Sequence, residues 1–284
     1  MTISSRRKTN QPAKARPAFV ARPFAGRVDE TEWVALREIV PAATAPLLLR
    51  EPRDREVTLS TVLPMAWPGM VRSDGRAFLG LQVQSRSGDA SRDLAAVLEQ
   101  VLTAAPGSSV VPTGLPGEGP RLQDLLDPAP LEVTLRAGFD YWLEGADDPD
   151  GSLADARERA NSGVVPTERV TSVTSAYWCR MRERAHLRWV LPEDEEPLLD
   201  GLARLSDGGG LSLGEGTRFV GSFRAYGLLV PVWDLPLEMT AADLEEPARA
   251  LRTRLDEVLA EAGPLTGEQR RARAGLLSRQ LTLR

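Results

Sequence analysis

One histidine and one cysteine are all that the chain offers of the two side chains on which most zinc sites and many nucleophilic active sites are built. His186 and Cys179 alone cannot supply the four ligands of a structural zinc site. Cys179 has no second thiol to pair with, which suits a reducing compartment. A Ser-His-Asp triad would have to use His186, and no Gly-x-Ser-x-Gly elbow occurs. Lysine is almost as scarce. Lys8 and Lys14 are the only two, both near the N-terminus, so the rest of the chain uses arginine as its permanent cation. An always-protonated guanidinium serves neither as a Schiff-base amine nor as the lysine of a phosphate-binding loop.

No apolar run approaches the roughly 20 residues of a membrane-spanning helix. The longest candidates, 46–49 and 57–70, are broken by proline or charge. Ser5-Arg6-Arg7 is like a twin-arginine signal only superficially, because Thr9-Asn10-Gln11-Pro12 stands where an apolar stretch would be needed. These features predict a cytoplasmic protein. Hydrophobic residues at 42% and charged residues at 26% are ordinary for a folded chain and argue against wholesale disorder.

Charge is unevenly spread. Residues 1–28 hold seven basic side chains (Arg6, Arg7, Lys8, Lys14, Arg16, Arg22 and Arg27) and no acid, so a chain of 35 − 40 = −5 leaves 28 − 40 = −12 for residues 29–284. An acidic body repels phosphate backbones, whereas a basic arm attracts them. A solvated, disordered leader, a tether to nucleic acid or the ribosome, and an arm folded back onto the body are all compatible with this pattern.

Hydrophobic periodicity predicts a mixed α+β fold with antiparallel or mixed sheets. Helices are expected over 31–40, 91–104, 121–126, 192–206 and 241–262. Ser91 is read as a cap for the second, and Pro247 as a kink or break early in the last. Thr266 and Gln269 form a capping box for a final helix. Strands are expected at 47–49, 57–63, 77–83 and 131–143, with hairpins at 176–191 and 217–233 and a short strand at 281–283. Proline and glycine punctuate 106–120, a loop signal. Asp147-Asp148-Pro149-Asp150-Gly151 does not have EF-hand offsets and reads as a turn. Gly214-Glu215-Gly216-Thr217 has neither the lysine of a P-loop nor the third glycine of a dinucleotide fingerprint. The reading divides the chain into a basic leader (1–28) and two α+β lobes (29–128 and 129–284), related or continuous. A weak internal echo supports relatedness: Val71-Arg72 and Phe223-Arg224 each precede a glycine turn, a strand and a helix.

The first hairpin carries the one constellation of interest. A two-residue turn at Arg182-Glu183 would set Cys179 opposite His186 as a thiolate–imidazolium pair. A three-residue turn instead gathers Tyr177, Cys179, Met181, Ala185, Leu187, Trp189 and Leu191 on one buried face, and the apolar pattern favours it. Cys179 then points inward. The opposite face presents Trp178, Arg180, His186 and Arg188, with Arg182 and Arg184 at the tip, a surface suited to carboxylate or phosphate. The competing reading pairs these arginines with Glu183 or the 193–196 acidic cluster, which otherwise suits a helix N-terminus. The six tryptophans would serve for stacking on sugars or bases, or simply as core.

Several segments resemble an actinobacterial family of uncharacterised proteins: Trp33-Val-Ala-Leu-Arg-Glu-Ile-Val-Pro41, Leu63-Pro-Met-Ala-Trp-Pro68, His186-Leu-Arg-Trp-Val-Leu-Pro192 and Ser212-Leu-Gly-Glu-Gly-Thr-Arg-Phe-Val-Gly-Ser-Phe-Arg224. The likeness covers residues 20–284. Members often carry an N-terminal SEC-C motif, a zinc module that contacts an export chaperone or the ribosome. Here the leader contains no cysteine, so zinc is not implied, and the resemblance brings no catalytic residues. The residues predict no cofactor, no metal and no catalytic set. The expected function is a non-catalytic interaction or adaptor protein, linked through the resemblance to protein biogenesis. Two alternatives stand beside it: a ribosome- or nucleic-acid-associated protein acting through residues 1–28, and an enzyme using carboxylates in a pocket invisible to sequence.

Overall fold

The computed structural model describes residues 19–279 apart from 85, 145, 147, 149 and 262. Arg6, Arg7, Lys8, Lys14 and Arg16 of the basic arm, and the strand expected at 281–283, lie outside the described residues. Arg22 and Arg27, counted with the leader above, belong to the packed chain. Arg22 donates to Glu30 (3.0 and 2.8 Å) and Arg27 Nε to Asp29 (2.8 Å), while Phe24 is wholly buried.

The fold is α+β, built on two sheets. The first sheet has the order β5-β3-β4-β2-β1-β6, formed by β1 (Ala43–Leu47), β2 (Val57–Ser60), β3 (Gly69–Val71), β4 (Ala77–Gly80), β5 (Ser108–Val110) and β6 (Thr134–Leu135). Only β2 and β4 run parallel. The second sheet is antiparallel, in the order β10-β11-β9-β8-β7. Its strands are β7 (Thr167–Val170), β8 (Ala176–Met181), β9 (Arg184–Trp189), β10 (Arg218–Ala225) and β11 (Leu228–Leu235). No helix among the described residues is long and apolar enough to cross a membrane.

Helix α1 (Glu30–Glu38) and α2 (Ala90–Thr103) lie in a core to which one face of each sheet contributes. Trp33, Leu36, Leu94 and Leu98 meet Leu59 and Leu79 of the first sheet and Tyr177, Phe223 and Val230 of the second. The other face of the second sheet packs Trp178, Leu187, Trp189 and Trp233 onto α5 (Glu195–Asp207), α6 (Glu245–Ala260) and α7 (Gly267–Ser278). A smaller cluster of Phe139, Tyr141, Trp142 and Ala156 joins residues 139–142 and α4 (Ser152–Asn161) to the outside of the first sheet. The short α3 (Leu122–Leu125) leans on α2 through Ser91 Oγ, which donates to Gln123 Oε1 (2.6 Å) and accepts from Leu122 N (3.0 Å).

Several expectations are corrected in detail. Asp89, not Ser91, caps α2, its carboxylate accepting from Ser91 N and Arg92 N. Ser91 is buried and spent on α3. The strand expected at 131–143 shrinks to β6, because Asp140–Trp142 turn into a 3₁₀ segment. The first strand begins earlier than expected, at Ala43. β3, β5, β7 and α4 carried too little periodic signal to be predicted. Helix α6 is preceded by a separate 3₁₀ turn, Ala242–Leu244, as Pro247 implied, and the Thr266–Gln269 capping box is present. In the second hairpin Phe219 faces Trp233, Phe223 faces Val230 and Ser222 faces Pro231, with a bulge between Phe219 and Gly221. Gly221 has φ +145°, and a Cβ there would stand 2.1 Å from Arg279 O, so only glycine fits.

Burial of α1 on every side forces its polar residues to find partners. The Glu32 carboxylate accepts from Arg169, from the Tyr177 hydroxyl and from Ser175 Oγ (2.9 Å). Asp29 accepts from Trp33 Nε1 (3.2 Å) and Leu131 N (3.0 Å), and Arg37 donates to Tyr226 Oη, Leu81 O and Val83 O. Glu32→Ala, which strands Arg169 and two hydroxyls, is expected to cost about 3 kcal/mol in urea unfolding. Glu32→Ala with Arg169→Met should recover part of that loss, and equal losses in the two variants would contradict the pairing.

Candidate functional site

Register decides which side chains meet on the first hairpin. The turn holds two residues, Arg182 and Glu183, and Arg182 adopts φ +56°. Trp178 therefore faces Leu187, Cys179 faces His186 and Arg180 faces Ala185. This overturns the three-residue turn predicted from the apolar pattern. That prediction assumed one buried face, whereas both faces of this sheet are covered, so apolar residues occupy both parities.

The four residues expected to share a surface are divided by this register. Trp178 is buried on the α5–α7 side, its indole N–H donating to Met239 O (2.9 Å). Arg180 has the same parity but lies beyond the core and is exposed. His186 and Arg188 project from the opposite face, with Cys179 and Tyr177. What joins Arg180 to His186 and Arg188 is their place at one end of the sheet rather than a common face.

On the His186 side the row continues onto β11, where Asp234 pairs with His186 and with Arg218 of β10. Arg218 Nη2 donates to Asp234 Oδ2 (2.8 Å), and Arg184 approaches the same carboxylate at 3.8 Å. His186 Nδ1 stands 3.0 Å from Oδ1 without an aligned hydrogen bond. Burial holds the imidazole pKa below its ordinary value. Asp234 opposes that shift, and Arg188 and Arg184 reinforce it. Arg188 Nη2 donates to Met181 Sδ (3.1 Å).

Cys179 is buried as expected, and burial pushes its thiol pKa up, against the pull of Arg188. It stands across from His186 without a hydrogen bond to it, so the pair is not an ion-paired nucleophile. No group of three or more His, Cys, Asp or Glu among the described residues is placed to hold a metal ion.

The acidic 193–196 cluster does not neutralise the hairpin. Glu193 pairs with Arg252 (2.8 Å), Asp194 with Arg22 (2.5 Å), Glu195 with Arg224 and Glu196 with Arg273. Among the described residues Arg180 and Arg182 make no side-chain hydrogen bond or ion pair, and Arg188 contacts only the Met181 thioether in this way. Arg180, Arg182, Arg184, Arg188 and Arg218 thus crowd one end of the sheet, with Glu183, Asp234 and, opposite Trp178 on β7, Glu168 as the acids of the same sheet.

Residues 23–284 match the family of unknown function DUF5926, and the chain belongs to that family. Neither a curated protein nor a solved structure matches it.

Because the folded-state pKa of His186 is depressed, its protonation favours the unfolded chain. Its contribution to stability is present at neutral pH and lost as pH falls through the lowered pKa. NMR titration should place the His186 midpoint below about 6.5. Asp234→Asn removes the one opposing carboxylate and should lower the midpoint further; a rise would refute the assignment of causes. Cys179 should react with a thiol reagent only on unfolding, and rapid modification of the native protein would contradict its burial.

Proposed function

We propose that the chain is a non-catalytic cytoplasmic interaction protein that engages an anionic partner through the arginine-rich end of its second sheet. The observation supporting this is the pairing pattern. The 193–196 acids are matched to Arg22, Arg224, Arg252 and Arg273, leaving Arg180, Arg182 and Arg188 without carboxylate partners. Exposed guanidiniums in excess of their acids, on a body of net charge −12 over residues 29–284, create a local field of opposite sign to the rest of the surface. Such a patch steers an anionic group to one place and suppresses other approaches. Guanidinium forks suit carboxylate and phosphate alike. An adaptor role in protein biogenesis rests on the family resemblance to proteins that carry the SEC-C module.

A second reading uses the basic arm. With Arg22 and Arg27 committed to Glu30, Asp194 and Asp29, the side chains left for a ribosome or nucleic acid are Arg6, Arg7, Lys8, Lys14 and Arg16.

Crosslinked pull-downs from the native cell separate the two readings. Under the first, Arg180→Glu with Arg182→Glu abolishes capture of the partner and deletion of residues 1–18 does not. The second predicts the reverse, with salt-sensitive co-sedimentation with ribosomes lost on deletion. Capture unaffected by the charge reversals would refute the arginine-end proposal.

A further inference from the structure

A second site lies on the other sheet, independent of the arginine end. Residues 139–142 and α4 cover only part of the outer face of the first sheet. Between β3, the start of β5 and the beginning of α4 they leave a cleft of about 330 Å³. That volume lies within the range of small-molecule sites. Its apolar lining includes Trp67, Met65, Met70 and Leu153.

Trp67 is unlike the other five tryptophans. Trp33, Trp142, Trp178, Trp189 and Trp233 are buried, and each indole N–H donates within the protein: to Asp29, Val62 O, Met239 O, Thr174 O and Leu211 O. Trp67 is half-buried, and its N–H finds no acceptor among the described residues. Its position is also imposed by the backbone. Met65 (φ 55°) and Ala66 (φ 54°) are consecutive left-handed residues, neither of them glycine. Such backbone is costly for residues with a side chain and persists only where the surroundings hold it. Here Ala66 N and Trp67 N donate to Leu63 O (3.0 Å) and Pro64 O (3.1 Å). Gly80 leaves room for Trp67 O, which would stand 2.6 Å from a Cβ.

The polar lining limits what can bind. Arg72 directs Nη1 and Nη2 to Tyr141 O, Glu144 O and Asp74, and its Nε is buried without a partner among the described residues, so it offers no accessible fork to a phosphate. Asp148 accepts from Leu153 N (2.9 Å) and Ala154 N (2.8 Å), and Asp150 from Ser152 N (3.1 Å). Both carboxylates disfavour an anionic ligand and keep lone pairs for hydroxyl donors. On β5, Ser109 shares the outer face with Met70 whereas Ser108 has the inner parity of Val71, and the hydroxyls of Ser73 and Ser109 make no hydrogen bond among the described residues. A flat indole face, an unmatched N–H, two free hydroxyls and carboxylate acceptors fit a ligand with an apolar ring face and a hydroxylated edge. We infer that this cleft binds a neutral saccharide, with one sugar ring stacked on Trp67 and its hydroxyls on Ser73 and Ser109.

Saturation-transfer NMR on the full chain with maltose, cellobiose and trehalose tests this. Ring protons of at least one sugar should receive saturation. Trp67→Ala should abolish the transfer and Arg180→Glu leave it unchanged, with glucose 6-phosphate giving a weaker signal than glucose. Ser109→Leu, at an exposed position on the cleft wall, should also abolish transfer, and it decides the question if the Trp67 variant fails to fold. No transfer from any of the three sugars, transfer that survives Trp67→Ala or Ser109→Leu in a folded protein, or a stronger signal from the phosphorylated sugar would overturn the proposal.

Discussion

Glu32 sits on a helix with no solvent face and accepts hydrogen bonds from Arg169 of β7 and from Tyr177 and Ser175 at β8. A carboxylate so enclosed must be paired, and its partners all come from the second sheet. Two residues along the same helix, Val34 and Leu36 face the core that the first sheet shares. The Glu32 pairs therefore orient the second sheet on α1, while the helix's apolar residues pack in the core that both sheets share. Arg37 adds a tie to each: Leu81 O and Val83 O follow β4, and Tyr226 sits in the β10–β11 turn. Burial likewise raises the pKa of Glu38, at the end of the helix, against the pull of Arg37 and Tyr226.

Because the core around α1 covers one face of the second sheet and α5, α6 and α7 the other, its central residues are apolar on both parities. Charge can collect only where those coverings stop. The β8–β9 turn and the adjoining ends of β10 and β11 form such a margin, and Arg180, Arg182, Arg184, Arg188 and Arg218 lie there. The arginine-rich end thus follows from the layering: the helices that bury the middle of the sheet leave its end to solvent.

A body without lysine suits this arrangement. Guanidiniums are less strongly hydrated than ammonium groups and form forked bonds, so they serve at half-buried joints. Arg22, Arg224, Arg252 and Arg273 tie the start of α5 to the N-terminal segment, β10, α6 and α7. The arginines that do not tie elements together are the informative ones, and only pairing in three dimensions distinguishes them.

From the sequence alone came the fold class, the helices with a clear apolar stripe, the capping box at Thr266, the break before α6 and the burial of Cys179. These depend on neighbours three or four residues apart, which the chain itself supplies. Tertiary structure decided the hairpin register, the separation of Trp178 from His186, the pairing of Asp234 and the isolation of Trp67 among six tryptophans. Alternation reveals a strand's inner face only when the other face meets water, and here both are covered. Ion pairs such as Arg22 with Asp194 join residues 172 positions apart, a distance over which no local pattern carries information.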